Sequence, residues 1–378
     1  MKIGIDTFAS ESGKSGVGTY LIQILKRIPP SSGALYELFG WEYDKFTYKE
    51  FVPNYEFVSR CSFNGKTANA VWHVYKYPEF AKSRAYNACF FPAAHRQPPY
   101  RSPCPTIGVV HDMAAYLGTR RTRAHLGAVL RLVLPNSLRH MDRIIVVSEW
   151  VKHELIDLAR VKESRIEVVP NGINHSAFFP RPCSEENEIL IQPFSIRRPY
   201  ILCVSRIEHP LKNHIRLIKA FGIFKERTGF PHRLVLAGGD SLNAARVKTA
   251  AAKSAWRNDI FFTGHFPIKN LPELYSGADF VVLPSMYEGF GMGVIEAMAC
   301  GIPVACARAA SLPETAEHAA LYFDPHDPED MADRMVTLAN DRALYENCRK
   351  LGIERAQKYN WDTCAKRTLE IIMETAGG

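Results

Sequence analysis

Short apolar runs along this chain alternate with longer segments whose apolar residues recur at helical spacing. In the first half, "KIGID" reads as a strand and "GVGTYLIQILKRI" as an amphipathic helix opened by glycines. "TIGVVHD" reads as a buried strand ending in a polar pair, "DRIIVVSEW" as another, and "IEVVPNGIN" as a strand running into a turn. Residues 176–198 break the rhythm with prolines and acids and read as a linker. The alternation then restarts: strand "YILCVSRI", helix "KNHIRLIKAFGIFKER", strands "RLVLAGG" and "DIFFTG", short helix "LPELYSGA", strand "DFVVLPS", helix "GVIEAMACG" and strand "PVACA", with helices to the end. Strands alternating with helices predict parallel sheets covered on both faces. Two such runs predict an α/β chain of two doubly wound, Rossmann-like domains facing across a cleft, with ligands at the carboxyl ends of the strands.

Composition fits this picture. The chain has 378 residues, 47% of them hydrophobic, too long for a single core. No run of 18 apolar residues predicts a spanning helix, and the N-terminus lacks the apolar core of a signal peptide. Nine cysteines without a CxxC pair suit reduced thiols and a cytoplasmic setting; Cys203 and Cys300 sit in apolar runs and read as small core residues. The net charge of +8 is uneven. Residues 1–183 carry 24 Lys/Arg against 15 Asp/Glu, whereas the remainder is nearly balanced. An anionic partner for the first half follows, or else a surface whose basic residues serve only solubility.

The densest chemistry lies in "PSMYEGFGMGVIEAMACGIPVA", residues 284–305, where Glu288 and Glu296 flank a nearly bare backbone. The glycines fall between a strand's carboxyl end and a helix N-terminus. Main-chain N–H groups there can hold hydroxyls and phosphate oxygens, aided by the helix dipole. Carboxylates accept paired hydrogen bonds from vicinal hydroxyls, so the two acids suit a sugar and a ribose. From spacing alone, Glu296 reads equally as a solvated helix residue and Glu288 as a loop acid. In "VSRIEHPLKNH", Arg206 and Lys212 leave a strand end and could neutralise a diphosphate; alone they read as an ordinary exposed pair. His111 and Asp112 end an apolar strand, a ligand edge in this fold, although a lone histidine is as readily structural. "SGKSGVGTY" misses the P-loop spacing, with Phe at position 8, and the dinucleotide fingerprint, with Leu at position 21. What survives is a glycine loop whose Gly16 N–H can face an anion.

Together these segments resemble glycosyltransferase family 4, retaining enzymes of the GT-B fold. The resemblance is strongest in "EGFGMGVIEAMACGIPV", which matches that family's E-x7-E motif. It extends through "SRIEHPLKN", "VHD", "VSEWVKHEL", "VVPNGIN" and "YNWDTCAKRTLEI". It implies that Glu288 contacts the donor hexose and Glu296 the nucleotide ribose. It also implies that Arg206 and Lys212 hold the diphosphate, and that the backbone of Gly289, Phe290, Gly291, Met292 and Gly293 binds sugar hydroxyls and phosphate. Gly16 and His111 would line the transfer site from the first domain. The base would sit near Gly238 and His265. The family's last helix crosses back, so the expected domains are 1–175 with 360–378, and 176–359. Gly293 departs from the family, where many relatives carry proline.

The implied reaction moves a hexosyl group from a nucleoside diphosphate sugar to an acceptor hydroxyl, by front-face attack because no side chain is an obvious nucleophile. No D-x-D predicts a metal-bridged diphosphate, so neither metal nor cofactor is expected. Read without the resemblance, the same acids could serve a glycosidase, a nucleotide-sugar epimerase or a non-catalytic carbohydrate-binding protein. The wording of "RIEHPLKNH" resembles bacterial surface-polysaccharide mannosyl- and rhamnosyltransferases, as in lipopolysaccharide synthesis, and tilts the donor toward GDP-mannose over UDP-hexoses. The acceptor is expected to be a glycan or lipid-linked, not a nucleic acid. Residues 118–143 carry Arg120, Arg121, Arg123, Arg131, Arg139, Arg143, His125 and His140, with Leu126, Val129, Leu130, Val133 and Leu134 among them at helical spacing. Such a stretch either contacts an anionic membrane peripherally, at its inner face, or is a core helix with arginines in water.

Overall fold

In the computed structural model the chain forms two units, Met1–Gly172 with Trp361–Gly378, and Ile173–Asn360. The structure describes residues 1–378 except 14, 31–32, 50, 52–54, 60–65, 115, 117–133, 183–187, 192–193 and 378. Arg120, Arg121, Arg123, His125, Leu126, Val129, Leu130, Arg131 and Val133 lie outside the described residues.

The first unit is built on a parallel sheet of β1 Lys2–Asp6, β2 Leu35–Gly40, β3 Tyr55–Ser59, β4 Ala88–Phe91, β5 Thr106–Val110, β6 Arg143–Val146 and β7 Ile166–Val168. Its order is β3-β2-β1-β4-β5-β6-β7. β4 and β5 are buried along their whole length, as expected of strands covered on both faces. β2, β3 and β4 are additions to the sequence reading. β3 is partly exposed throughout and lacks a continuous apolar run. "DRIIVVSEW" stops being strand at Val146, because Ser148 caps a helix, Glu149–Ala159, by accepting from the Val151 N–H at 3.2 Å. The helix Trp361–Gly377 packs into this unit: Trp361, Ile371 and Ile372 join the core of Ile3, Leu21 and Phe90, and the Tyr20 and Thr368 hydroxyls lie 3.0 Å apart.

The second unit holds β10 Tyr200–Val204, β11 Arg233–Ala237, β12 Ile260–Gly264, β13 Phe280–Leu283, β14 Val304–Ala307 and β15 Ala320–Phe323, ordered β12-β11-β10-β13-β14-β15 and parallel throughout. Two expectations change here. The segment read as a linker contains an antiparallel pair, β8 Glu188–Ile191 with β9 Phe194–Arg197. The final run is not all helix either: "ALYF" at β15 adds an edge strand beside β14. Cys203 and Cys300 are buried, as read. Leu134 is 1% exposed, so this end of the basic stretch packs into the core, while Arg139, His140 and Arg143 stay exposed. No described helix is long and apolar enough to cross a membrane.

One polar group is locked inside the first unit. Glu37 on β2 has no exposed surface, yet it meets Lys2 Nζ at 2.8 Å, Arg84 Nε at 2.8 Å and the Tyr86 hydroxyl. Burial alone would push its carboxyl up, but Arg84, Lys2 and Tyr86 together hold it down to about 2. The stabilisation is therefore full above the ordinary glutamate range and is lost as pH falls toward 2. Glu37→Gln should cost about 3 kcal/mol at neutral pH and flatten the acid side of the stability profile. Urea titrations followed by tryptophan fluorescence check this, since Trp41, Trp72, Trp150 and Trp361 all lie in the first unit.

Candidate functional site

In the second unit the strand order reverses between β10 and β13, so the loops that follow these two strands leave in opposite directions and open a crevice at the sheet's carboxyl edge. Both loops carry candidate residues. Asn213, in the left-handed region at φ 56°, precedes the helix His214–Thr228, and its amide donates to the Pro325 carbonyl at 2.7 Å. Lys212 is thereby placed at the crevice. The Met286 N–H donates to the Leu211 carbonyl at 2.8 Å and ties the two loops together. Lys212 Nζ then meets Glu288 Oε1 at 2.5 Å, with the side chains 15% and 19% exposed. The Glu288 carbonyl is held in turn by the Ser311 hydroxyl at 2.8 Å.

The glycine run continues into the helix Met292–Ala299. Gly291 has φ 94°, and a side chain there would meet Leu312 at 2.9 Å, so glycine is required on both counts. The Phe290 side chain is buried against Tyr359, leaving only its main chain to face a ligand. Gly293 lies in the first helical turn, where a Cβ would come within 3.3 Å of the Tyr275 hydroxyl. That hydroxyl donates to Glu296 Oε2 at 3.0 Å. Burial pushes the Glu296 carboxyl up to about 7, while the Tyr275 hydrogen bond partly holds it down. Glu296 is thus not a solvated helix residue but a carboxyl poised near neutrality, and the glycine at 293 gives Tyr275 its passage.

Arg206 is 61% exposed and turns toward the buried Glu208, whose Oε2 lies 3.9 Å away. Gly238, at φ 146°, follows β11, and a Cβ there would lie 2.2 Å from the Ser205 carbonyl. Its N–H is used by the Thr263 hydroxyl at 3.1 Å, so close strand packing explains this glycine. His265 is exposed just past β12, with a Cβ at Gly239 falling 3.8 Å from its own.

In the first unit the order reverses between β1 and β4, and the loops after β1, β4 and β5 carry the polar residues. His111 follows β5. Its Nε2–H donates to the Pro92 carbonyl at 3.0 Å, and its ring lies edge-on to Tyr20 at 5.0 Å and beside His95 at 5.6 Å. Burial pushes the His111 ring down to about 3 and His95 to about 4, so both are neutral at physiological pH. Asp112 accepts from the Ala114 N–H at 3.0 Å; burial works against its charge, but His95 and that bond hold its carboxyl low. Gly16 opens the helix Gly16–Leu25, with open space where a side chain would stand. The glycine that packing demands is Gly18, where a Cβ would meet the Ser10 carbonyl at 2.5 Å. The sequence reading missed Gly18, Tyr275 and His95. The "GVG" spacing was the available signal for the first; the other two lie far in sequence from the residues they serve.

Comparison with known proteins is consistent with this geometry. The model of the family described as glycosyl transferases group 1 matches residues 185–355, and that of glycosyltransferase family 4 matches residues 45–177. O-antigen chain mannosyltransferase B of Escherichia coli is 29% identical over 62% of this chain, and the chain spans 61% of that relative's length. Among solved structures, sucrose-phosphate synthase from Thermosynechococcus elongatus superposes with TM-score 0.74 at 19% identity, covering 99% of this chain and 98% of that one. Anabaena HepE in complex with UDP and glucose superposes with TM-score 0.73, also at 19% identity, covering 99% of each. The fold is GT-B, two Rossmann-like α/β domains. By both matched segments, which account for most of its length, the chain belongs to the glycosyltransferases of group 1 and family 4.

Proposed function

We propose that the chain is a retaining glycosyltransferase that moves a hexosyl group from a nucleoside diphosphate sugar to a hydroxyl of a glycan or lipid-linked acceptor. GDP-mannose is the favoured donor and the cytoplasm the place of action. The observation that carries the reading is the Lys212–Glu288 pair in the β10/β13 crevice, next to the N-terminus of the helix Met292–Ala299. A diphosphate would compete with Glu288 for the Lys212 ammonium, and the released carboxylate would accept hexose hydroxyls. Arg206, exposed at the same edge, can swing onto the second phosphate. The demanding step is charge building on the leaving diphosphate; preset cations and N–H donors stabilise it there, so no bridging metal is needed. In front-face attack the leaving phosphate takes the acceptor's proton. His111, neutral and with its Nε2–H fixed on Pro92, is suited to orienting a hydroxyl rather than exchanging a proton. The mannosyltransferase relative supports mannose, whereas the HepE complex holds UDP and glucose, so both donors belong in any test.

Three outcomes check the proposal. Lys212→Ala should lower kcat by about 10²–10³-fold while barely changing the affinity for the bare nucleoside, because the ammonium acts on charge that develops in the transition state. Unchanged turnover would remove Lys212 from the reaction.

Proton NMR of the product should show the donor's anomeric configuration kept, with transfer persisting in excess chelator. An inverted linkage overturns the retaining assignment, and loss in chelator restored by magnesium or manganese overturns metal independence.

Ribose hydroxyls are donors and bind the ionised Glu296. Since its carboxyl titrates near 7, affinity for the nucleoside diphosphate should rise as pH climbs from about 5.5 to 7.5, by up to about tenfold per unit below the midpoint. Calorimetric titrations should show this slope in the wild type and its loss in Glu296→Gln. A flat wild-type profile would take Glu296 out of ribose binding.

A further inference from the structure

Ser205 is the first residue beyond β10, half-buried at the carboxyl edge and immediately before Arg206. Its N–H is fixed to the Ala237 carbonyl at 3.0 Å, and its hydroxyl lies 3.0 Å from His214 Nε2. His214 is wholly buried at the start of its helix. The other ring nitrogen, Nδ1, lies 3.1 Å from the Glu208 main-chain carbonyl, which can only accept, so Nδ1 carries the proton. Burial pushes the ring's titration down to about 4, and the nearby Lys212 charge adds to that shift, so the imidazole is neutral. Nε2 is therefore a bare lone pair, and Ser205 must give it the hydroxyl proton. What Ser205 offers to the crevice is oxygen lone pairs alone. The Cys203 thiol also lies within hydrogen-bonding reach of Ser205, and the crevice holds the donors Arg206 and Lys212 with the Glu288 carboxylate on Lys212.

We propose that Ser205 is a donor-specificity residue whose oxygen, fixed by His214 as an acceptor, takes a hydrogen bond from a hydroxyl of the nucleotide sugar and disfavours contact with an ionised phosphate oxygen. His214 is the positioning residue that acts through it. The inference rests on the crevice being the nucleotide-sugar site. The hydroxyl belongs to the ribose or to the hexose, and the two sources are separable by experiment.

The test is calorimetric titration of wild type, Ser205→Ala, His214→Leu and the double variant with GDP-mannose, UDP-glucose, GDP, UDP and the 2′- and 3′-deoxy nucleoside diphosphates, with melting curves confirming the fold. Ser205→Ala should weaken the bound nucleotide sugar about 3- to 10-fold, the worth of one hydrogen bond. If the hexose supplies the hydroxyl, GDP and UDP are unaffected. If the ribose does, they weaken alike, and the effect vanishes with one deoxy form. His214→Leu should reproduce the loss, with no further loss in the double variant. An unchanged affinity in Ser205→Ala, or an equal weakening of every diphosphate including both deoxy forms, overturns the proposal. Additive losses in the double variant overturn the part given to His214. If His214→Leu melts early, the Ser205→Ala series still decides. A wild-type protein that binds none of these nucleotides overturns the donor-site reading itself, whereas wild-type binding with an indifferent Ser205→Ala overturns only this inference.

Discussion

The second unit depends on one topological constraint: a parallel sheet that reverses its winding direction between β10 and β13. At that reversal no crossover helix covers the strand ends, so the two flanking loops must satisfy each other. They do so through the main-chain bond from Met286 to Leu211 and the ion pair of Lys212 with Glu288. A buried or half-buried pair of this kind contributes little net stability, because desolvation of both charges offsets much of their attraction. Its value is positional. Each charge is kept in the crevice by the other.

Around that pair the polar groups divide by what they can give. Arg206, Lys212 and the start of the helix Met292–Ala299 give protons; Glu288, Glu296 and Ser205 receive them. The receivers are individually tuned. Glu288 is paired with Lys212, Glu296 is crowded by protein until it titrates near neutrality, and the Ser205 hydroxyl points its proton at His214.

Much of this was legible in the chain. The continuous apolar runs at β5, β10, β13 and β14 announced strands covered on both faces, and the glycines before "VIEAMA" announced a helix start. β3 was not legible, because its burial alternates weakly, and β15 was hidden by its brevity between helices. Lys212 and Glu288 were each marked by local pattern, but their pairing spans 76 residues and only the strand order brings it about. The same holds for Tyr275 on Glu296. His214 looked like an ordinary helix residue; its role comes from the carbonyl it faces, and main-chain carbonyls leave no mark in a sequence.

The helix Trp361–Gly377 completes the core of the first unit although it is the last described element of the chain. Translation therefore delivers the whole of the second unit, a continuous stretch from Ile173 to Asn360, before the first can close around Trp361 and Ile371. Domains commonly mature in the order of synthesis. Here that order is inverted: the unit made first must wait on the ribosome with part of its apolar interior uncovered, and the unit made second can finish ahead of it.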